Sequence, residues 1–386
     1  MPTPDAAPRG APTQPPVSRR GVLLFSFAAF LLIGALQALY GPSFPLLRER
    51  FGIGPEWVSM AVSAQFLGSF VGIVFSSQLL RAVGYRGVLA GAAAALALGG
   101  VVVAAAPTWA FVLAGAFLAG AGAGLLNVAC NLLVAVTFRP RAAPALNLIN
   151  ALFGVGAVVG PLLVTATEPR FALPFLVVAV AAALLLPWVA RLGVPAVAGL
   201  GADAAPVAWG SLAGFVLLYV FYVSVEVGVT SWQTEFLTPH FGASAAAFTS
   251  LYWAAITVGR FAAAPISARL PSQRMVLYAA AATLVFMIAS HRVPSAPIAF
   301  ALVGLSLAPI FPTALAWLTE VFPQRADQVT PVVVAAANFG PAISAPLIGL
   351  FVRAEGPQVV PTVLSGLALL LLLIVTWLAR RTRGRA

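Results

Sequence analysis

Long apolar runs alternate with short polar breaks along almost the whole chain. Twelve of these runs are close to the ~20 residues that a helix needs to cross a bilayer, and Gly, Pro or Arg clusters separate them. We interpret all of them as helices, because an open sheet leaves its edge backbone groups unpaired in lipid. The predicted spans are residues 22–47, 57–80, 87–106, 109–138, 145–167, 171–189, 210–237, 245–268, 275–290, 293–322, 329–352 and 360–379.

Composition supports a membrane protein and weakens other classes. Of the 386 residues, 61% are hydrophobic and 8% are charged, and the net charge is +11. All 21 positive residues are Arg, and they stand singly between the spans, so no nucleic-acid-binding patch is predicted. Most of them fall on the side that carries both termini. The positive-inside rule therefore predicts cytoplasmic termini, here in a bacterial inner membrane.

Catalytic and metal-binding patterns are missing from the sequence. The two histidines, His240 and His291, stand far apart, and no nucleophile–base pair, paired acid or zinc motif accompanies them. No selectivity filter of a channel is visible either. We therefore expect no enzyme, no cofactor and no metal.

The chain divides into two similar parts. "RAVGYRGVL" follows the second span and "RLPSQRMVL" follows the eighth, and both copies read Arg, four residues, Arg, one residue, Val-Leu. Each copy begins on the same side, which indicates a parallel repeat. The predicted organisation is a disordered cytoplasmic tail (1–20), an N-terminal six-helix half (21–190), a cytoplasmic linker (191–209), a C-terminal six-helix half (210–380) and a basic cytoplasmic tail (381–386).

Twelve spans in two parallel six-helix halves resemble the major facilitator superfamily of secondary transporters. "SQLLRAVGYR" keeps Gly84 and Arg86 of that family's loop signature but has Arg81 where the signature has Asp. "GAGAGLLNVACN", "VSVEVGVTSW" and "LSLAPIFPTALAWLTEVFP" are similar to the fucose-permease and glucose-transporter branch. The fucose-permease type has an acid where Asn127 stands here. The resemblance implies an all-α fold in which the first, fourth, seventh and tenth spans line a central cavity.

Polar side chains are concentrated in particular spans. All five asparagines fall within predicted spans, and Asn127 and Asn131, like Asn147 and Asn150, are spaced to share one helix face. Amides beside aromatic rings suit a sugar, whose C–H faces stack and whose hydroxyl groups need partners. An amide that only joins helices is the competing interpretation. The predicted substrate-binding residues are Gln37, Asn127, Asn131, Asn147, Glu226, Trp232, Trp253 and Asn338.

Glu226 lies in the middle of the seventh span, where a charge usually faces the interior of a bundle. Arg260 lies in the next span at comparable depth, so an ion pair is feasible. Two interpretations stay open. The pair is a permanent salt bridge, or Glu226 also binds a coupling proton whose arrival releases Arg260.

A gate at the cytoplasmic side is predicted from Arg81, Arg86, Arg269, Arg274 and Glu320. Together these features predict a monomeric secondary transporter in the lipid bilayer. It would move a small polar solute, with a monosaccharide favoured, by alternating access with possible proton coupling. An exporter of amphiphilic drugs or lipids is the alternative, and inward-facing aliphatic side chains would favour it.

Overall fold

The computed structural model describes residues 17–139, 142–195, 209–267, 269–323 and 325–382. Within these ranges the chain is all α-helical apart from short turns. The helices are α1 (Arg19–Phe51), α2 (Pro55–Val58), α3 (Met60–Ala104), α4 (Trp109–Thr137), α5 (Ala142–Thr167), α6 (Ala172–Ala183), α7 (Leu185–Arg191), α8 (Trp209–Phe241), α9 (Ala245–Ser267), α10 (Ser272–Ala289), α11 (Ala296–Leu307), α12 (Ile310–Val321), α13 (Ala326–Ala336), α14 (Phe339–Glu355) and α15 (Val360–Arg381).

Ten helical stretches of the described chain are long and apolar enough to cross a membrane. Two of them, Pro55–Ala104 and Gly210–Ala263, contain 50 and 54 residues, more than twice the ~20 that one crossing needs. Each is interrupted, at Gly84 and at the 3₁₀ turn Gly242–Ser244. Dividing them there gives the twelve spans of the sequence interpretation, and that count stays a prediction.

Gly84 reverses the chain in the middle of α3. Its φ of 67° and ψ of 178° lie in a region that residues with a Cβ rarely adopt. Segments on its two sides pack against α4 in opposite senses, parallel before Gly84 and antiparallel after it. The neighbouring pairs are Gly68 with Phe117, Gly72 with Leu125, Val103 with Gly115, and Ala92 with Gly122. The segment is therefore a hairpin of two helices.

Four predicted spans include parts of two helices, and the second of the twelve does so because it starts in the short α2 and continues in α3. The sixth span is α6 and α7, which meet at Leu184, and the tenth is α11 and α12, which meet at Ala308 and Pro309. The eleventh is α13 and α14, which meet at Ala337 and Asn338. Asn338, predicted to lie inside a continuous span, is therefore at a helix junction.

For description, residues before 196 are called the N-half and residues from 209 the C-half, and the division into two domains stays a prediction. The predicted tails and linker fall mostly on 1–16, 196–208 and 383–386, outside the described residues. Four boundaries differ from the sequence interpretation. Arg19 and Arg20 already belong to α1, because Ser18 caps that helix by accepting a hydrogen bond from Gly21 N. Arg191 still belongs to α7, Trp209 already belongs to α8, and Arg381 still belongs to α15.

Helices α1 and α8 lie side by side at the centre. Gly41, Phe44 and Arg48 of α1 meet Thr230, Trp232 and Glu235 of α8 in the same order, so the two helices run parallel. Gly210 at the start of α8 lies beside Arg381 at the end of α15. The membrane face where α1 begins therefore also holds the end of α15. We call it the terminal face, and the opposite one the far face.

Within the N-half, α1 and α5 pack backbone against backbone. A Cβ added at Gly156 would collide with the carbonyl oxygen of Leu31, and one added at Gly34 would collide with that of Phe153. Such close approach lets α1 and α5 gain dispersion contacts, which drive helix association in lipid in place of the hydrophobic effect.

The variant Gly156→Ala should lower the apparent melting temperature in detergent by several degrees, because overpacking costs about 1–3 kcal/mol. The matched control is Gly366→Ala on α15, where an added Cβ meets nothing within 4 Å. Tryptophan fluorescence during heating measures both variants. Equal melting temperatures for the two would contradict the α1–α5 packing.

Candidate functional site

Glu226 is held by groups from two helices near the middle of the C-half. The Tyr222 hydroxyl donates to Glu226 Oε1 at 2.8 Å, and Arg260 Nη2 lies 3.7 Å from the same oxygen. The Tyr252 hydroxyl donates to the Glu226 backbone carbonyl at 3.0 Å. Glu226 is only 6% exposed. A carboxylate this far from water needs such partners, since an isolated buried charge is strongly disfavoured.

Helix geometry explains why these groups converge. Tyr222 and Glu226 are four residues apart on α8, so they lie one turn apart on the same face. Tyr252 and Arg260 are two turns apart on α9, the next helix along the chain, and reach the backbone and the carboxylate of Glu226 respectively. The local sequence therefore supplies the hydroxyl partner, and the α8–α9 contact supplies the cation.

One face of α9 is directed at α5 of the N-half. The Ser250 hydroxyl donates to the Val158 carbonyl at 2.8 Å, and the Trp253 ring packs edge-on against Phe153 at 5.8 Å. Thr257 lies against Gly154. Arg260 follows on the same face one turn nearer the terminal face, and its side chain is 28% exposed. Arg260 therefore joins Glu226 to the boundary between the halves.

The matching face of α5 carries two of the asparagines. Val158, Gly154, Asn150 and Asn147 lie along one stripe of that helix, at helical spacing. Val158 and Gly154 contact α9, whereas Asn150 and Asn147, nearer the terminal face, are exposed. Helices α5 and α9 run antiparallel. The two amides therefore lie on the face of α5 that is directed at α9, at about the same depth as Arg260.

Asn127 and Asn131 form a pair on α4. The Asn131 amide donates to the Asn127 backbone carbonyl at 2.9 Å and to its side-chain oxygen at 3.3 Å. Both side chains are half-buried. The two therefore interact with each other, as their spacing predicts, and keep part of their surface accessible.

The other predicted binding residues are in different surroundings. Gln37 on α1 is half-buried. Trp232 and Trp253 are fully buried. Trp232 donates to the Ala345 carbonyl at 3.2 Å and packs on Phe44. Asn338 donates to carbonyl groups of the preceding helical turn, those of Val334 and Ala335. Trp232 and Asn338 thus act as packing groups in this conformation.

The residues of the predicted terminal-face gate do not form one cluster in this conformation. Arg86 donates to the Leu192 carbonyl at 3.0 Å, and Glu320 accepts a hydrogen bond from Ser272 at 2.7 Å. Both contacts stay within one half. Arg81, Arg269 and Arg274 are exposed.

Sequence reasoning missed two groups. Tyr222 and Tyr252 stand out in the sequence only as aromatic residues, although their spacing from Glu226 and Arg260 indicates their role.

At the far face, Arg48 pairs with Glu235, and Arg353 Nη1 lies 2.8 Å from Glu56 Oε1. Both pairs join the N-half to the C-half. The sequence did contain an indication of these pairs, because acids and arginines stand at the far-face ends of different predicted spans.

The fold and site together define a multi-pass membrane protein in which a buried carboxylate adjoins the boundary between two groups of helices. The family described as the Major Facilitator Superfamily matches residues 26–292, more than half of the chain. The chain belongs to this superfamily, which is a family of transporters and not of enzymes.

Relatives and solved structures agree with this assignment. The glucose/mannose transporter GlcP of Bacillus subtilis is 24% identical over 352 residues, covering 86% of this chain and 88% of GlcP. The inward-open xylose transporter XylE from E. coli superposes with a TM-score of 0.81 at 12% identity, covering 93% of this chain and 95% of XylE. The nucleoside transporter NupG, solved as a point mutant, gives a TM-score of 0.75 at 14% identity, covering 93% of this chain and 99% of NupG.

The Glu226–Arg260 interaction is testable by a double-mutant cycle of stability. Arg260→Met alone should destabilise the protein by about 1–3 kcal/mol, because it leaves a buried carboxylate without one of its partners. Adding Glu226→Gln should recover most of that loss, since no charge is then left unpaired. Unfolding in detergent, followed by far-UV circular dichroism, measures the three variants.

Arg269→Met is the control for this cycle, because Arg269 is exposed at the terminal face. It should change stability little. Additive effects of Glu226→Gln and Arg260→Met would show that the two side chains do not interact energetically.

Proposed function

We propose that the chain is a secondary transporter that moves a small polar solute, most simply a monosaccharide, across a bacterial inner membrane by alternating access. The observation that carries this proposal is the buried Glu226, held by Tyr222 and Arg260 beside the α5–α9 boundary. A charge with a partner at a moving boundary favours one arrangement of the halves over another. Similarity to GlcP, which is described as a glucose/mannose transporter, supports a monosaccharide as the solute.

Polar groups near this boundary support a hydroxylated solute. Asn147 and Asn150 on α5 and the Asn127–Asn131 pair on α4 keep accessible amide surface. Amides donate and accept hydrogen bonds at once, which suits hydroxyl groups that do the same. An exporter of amphiphiles would need mainly apolar lining, and the stripe on α5 is polar at its accessible end. Gln37, Trp232, Trp253 and Asn338 stay proposed substrate ligands for other conformations of the cycle.

We further propose that Glu226 binds the coupling proton. Protonation would remove the charge that attracts Arg260 and leave Arg260 free to turn toward the amides of α5. One of the solved structures of this fold is described as a D-xylose–proton symporter, with a TM-score of 0.79 at 12% identity. In the proposed arrangement both termini are cytoplasmic, the protein works as a monomer, and Arg81, Arg86, Arg269, Arg274 and Glu320 tune the terminal-face gate.

Uptake of radiolabelled glucose, mannose and xylose into proteoliposomes tests the substrate class. We expect saturable uptake of at least one monosaccharide, faster when an inward proton gradient is imposed. Competition by unlabelled sugars ranks the specificity, and a lipophilic cation serves as the alternative solute. Transport of that cation with no sugar uptake would reject the proposal in favour of an amphiphile exporter.

The variant Glu226→Gln tests whether Glu226 binds the coupling proton. The amide keeps the size and the hydrogen bond from Tyr222 but cannot ionise, so we expect loss of gradient-driven accumulation with sugar exchange retained. Glu168→Gln is the matched control, because that acid is exposed just after the end of α5 and has no part in the proposed site or gate. Gradient-driven uptake that is equal in Glu226→Gln and the unaltered protein would remove Glu226 from the coupling role.

A further inference from the structure

Two ion pairs at the far face bridge the halves through four different helices. Arg48 on α1 pairs with Glu235 on α8, and Glu56 on α2 pairs with Arg353 on α14. Arg48 also lies within electrostatic range of Glu56. The four side chains therefore form one row of alternating charge, in the order Glu235, Arg48, Glu56 and Arg353. We call this row the far-face charge row.

Each ion pair lies next to a close backbone contact between the same two helices. A Cβ at Gly41 of α1 would collide with the Thr230 carbonyl of α8, and Gly41 is two turns from Arg48 on the same face. Likewise, a Cβ at Gly349 of α14 would lie 2.8 Å from the Pro55 carbonyl of α2. Gly349 is one turn from Arg353. The charge row therefore forms only when the helices of the two halves are in contact.

Burial of the acids makes the row stronger than an ordinary surface pair. The Glu235 and Glu56 side chains are each 10% exposed, whereas Arg48 and Arg353 are 34% and 65% exposed. Isolated surface pairs contribute little, but removing one partner of a buried acid leaves a charge with poor solvation. Loss of either arginine therefore destabilises the conformation in which the far face is closed, because the acid is buried in that conformation.

The hydrogen bonding of the two acids in the far-face charge row is incomplete. The second carboxylate oxygens, Glu56 Oε2 and Glu235 Oε2, are buried and have no hydrogen-bond partner among the described residues. Separation of the halves would admit water to both oxygens and recover that hydration. The attraction of the ion pairs is thus partly opposed by the incomplete hydrogen bonding of the two carboxylates in the closed state.

We propose that Arg48, Glu56, Glu235 and Arg353 are positioning residues that set the equilibrium between a closed and an open far face. Breaking the row shifts the resting protein toward the conformation open at that face. The residues act on the access step and not by touching the solute. This inference rests on the alternating access proposed above, but it is independent of the sugar and of Glu226.

Pulsed electron-paramagnetic-resonance distances across the far face test the proposal directly. Nitroxide labels are placed at Ala110→Cys on α4 and Gln358→Cys after α14, in a Cys130→Ser background. Both label positions are exposed, and the native Cys130 is buried. The protein is reconstituted in lipid nanodiscs without sugar or a proton gradient, so the result does not depend on the transported solute.

Arg353→Glu places two acids against each other and should raise the long-distance population on the order of tenfold. The reversed pair Glu56→Arg with Arg353→Glu should shift the population back toward the short distance, because attraction between positions 56 and 353 returns. The recovery should be partial, since position 56 then carries the same charge as the neighbouring Arg48. Arg50→Glu is the matched control, with the same charge change on an exposed arginine at the same face. It should leave the distances unchanged. Glu56→Gln offers a milder break if Arg353→Glu folds poorly.

An unchanged distance distribution in both Arg353→Glu and Glu56→Gln would overturn the proposal. So would an equal shift in Arg50→Glu, which would indicate a general effect of surface charge. A purely structural role for the pairs would lower stability without producing a second, longer distance that the reversed pair makes less populated. Failure of sugar transport with the expected distance shift would contradict the proposed substrate and leave this inference standing.

Discussion

The cost of placing polar groups in a lipid-embedded protein governs this structure. Charged and amide side chains are few, and a charge within a span is expensive unless it is paired or hydrated. Glu226 meets this requirement with Tyr222 and Arg260, and the far-face acids meet it with arginines from the other half. In both places the cationic partner comes from a different helix. Whether each acid has a cationic partner therefore depends on how the helices are arranged, and this pairing changes when the helices move.

The two charged sites lie at different points of the boundary between the halves. At the far face, α1 meets α8 and α2 meets α14 through close backbone contacts and ion pairs. Helices α5 and α9 are in contact toward that face, at Val158 and Ser250, whereas Asn150 and Asn147, nearer the terminal face, are exposed. The boundary is thus tight at one end and accessible at the other. A transporter that alternates access needs this asymmetry and a low cost for reversing it.

Several features followed from the sequence because they depend on local spacing. Apolar run length predicted the helices to within a few residues, and the repeated loop pattern suggested two similar parts. The four-residue spacing of Asn127 and Asn131 predicted their shared face, and they do contact each other. The helix junctions at Leu184, Ala308 and Asn338 were missed, because an apolar run continues through an interruption of the helical hydrogen-bond pattern without a change in composition.

The sequence by itself determined that the chain crosses a membrane as helices and that Glu226 is an acid in an apolar span, since hydropathy and chemical type are properties of the residues alone. Only the tertiary structure decided which groups meet. Tyr252 and Arg260 reach Glu226 from α9, Trp232 and Asn338 pack instead of lying open, and the far-face arginines bind acids as many as 297 positions away along the chain. Such pairings depend on how helices distant in sequence are placed, and hydropathy carries no information about that placement.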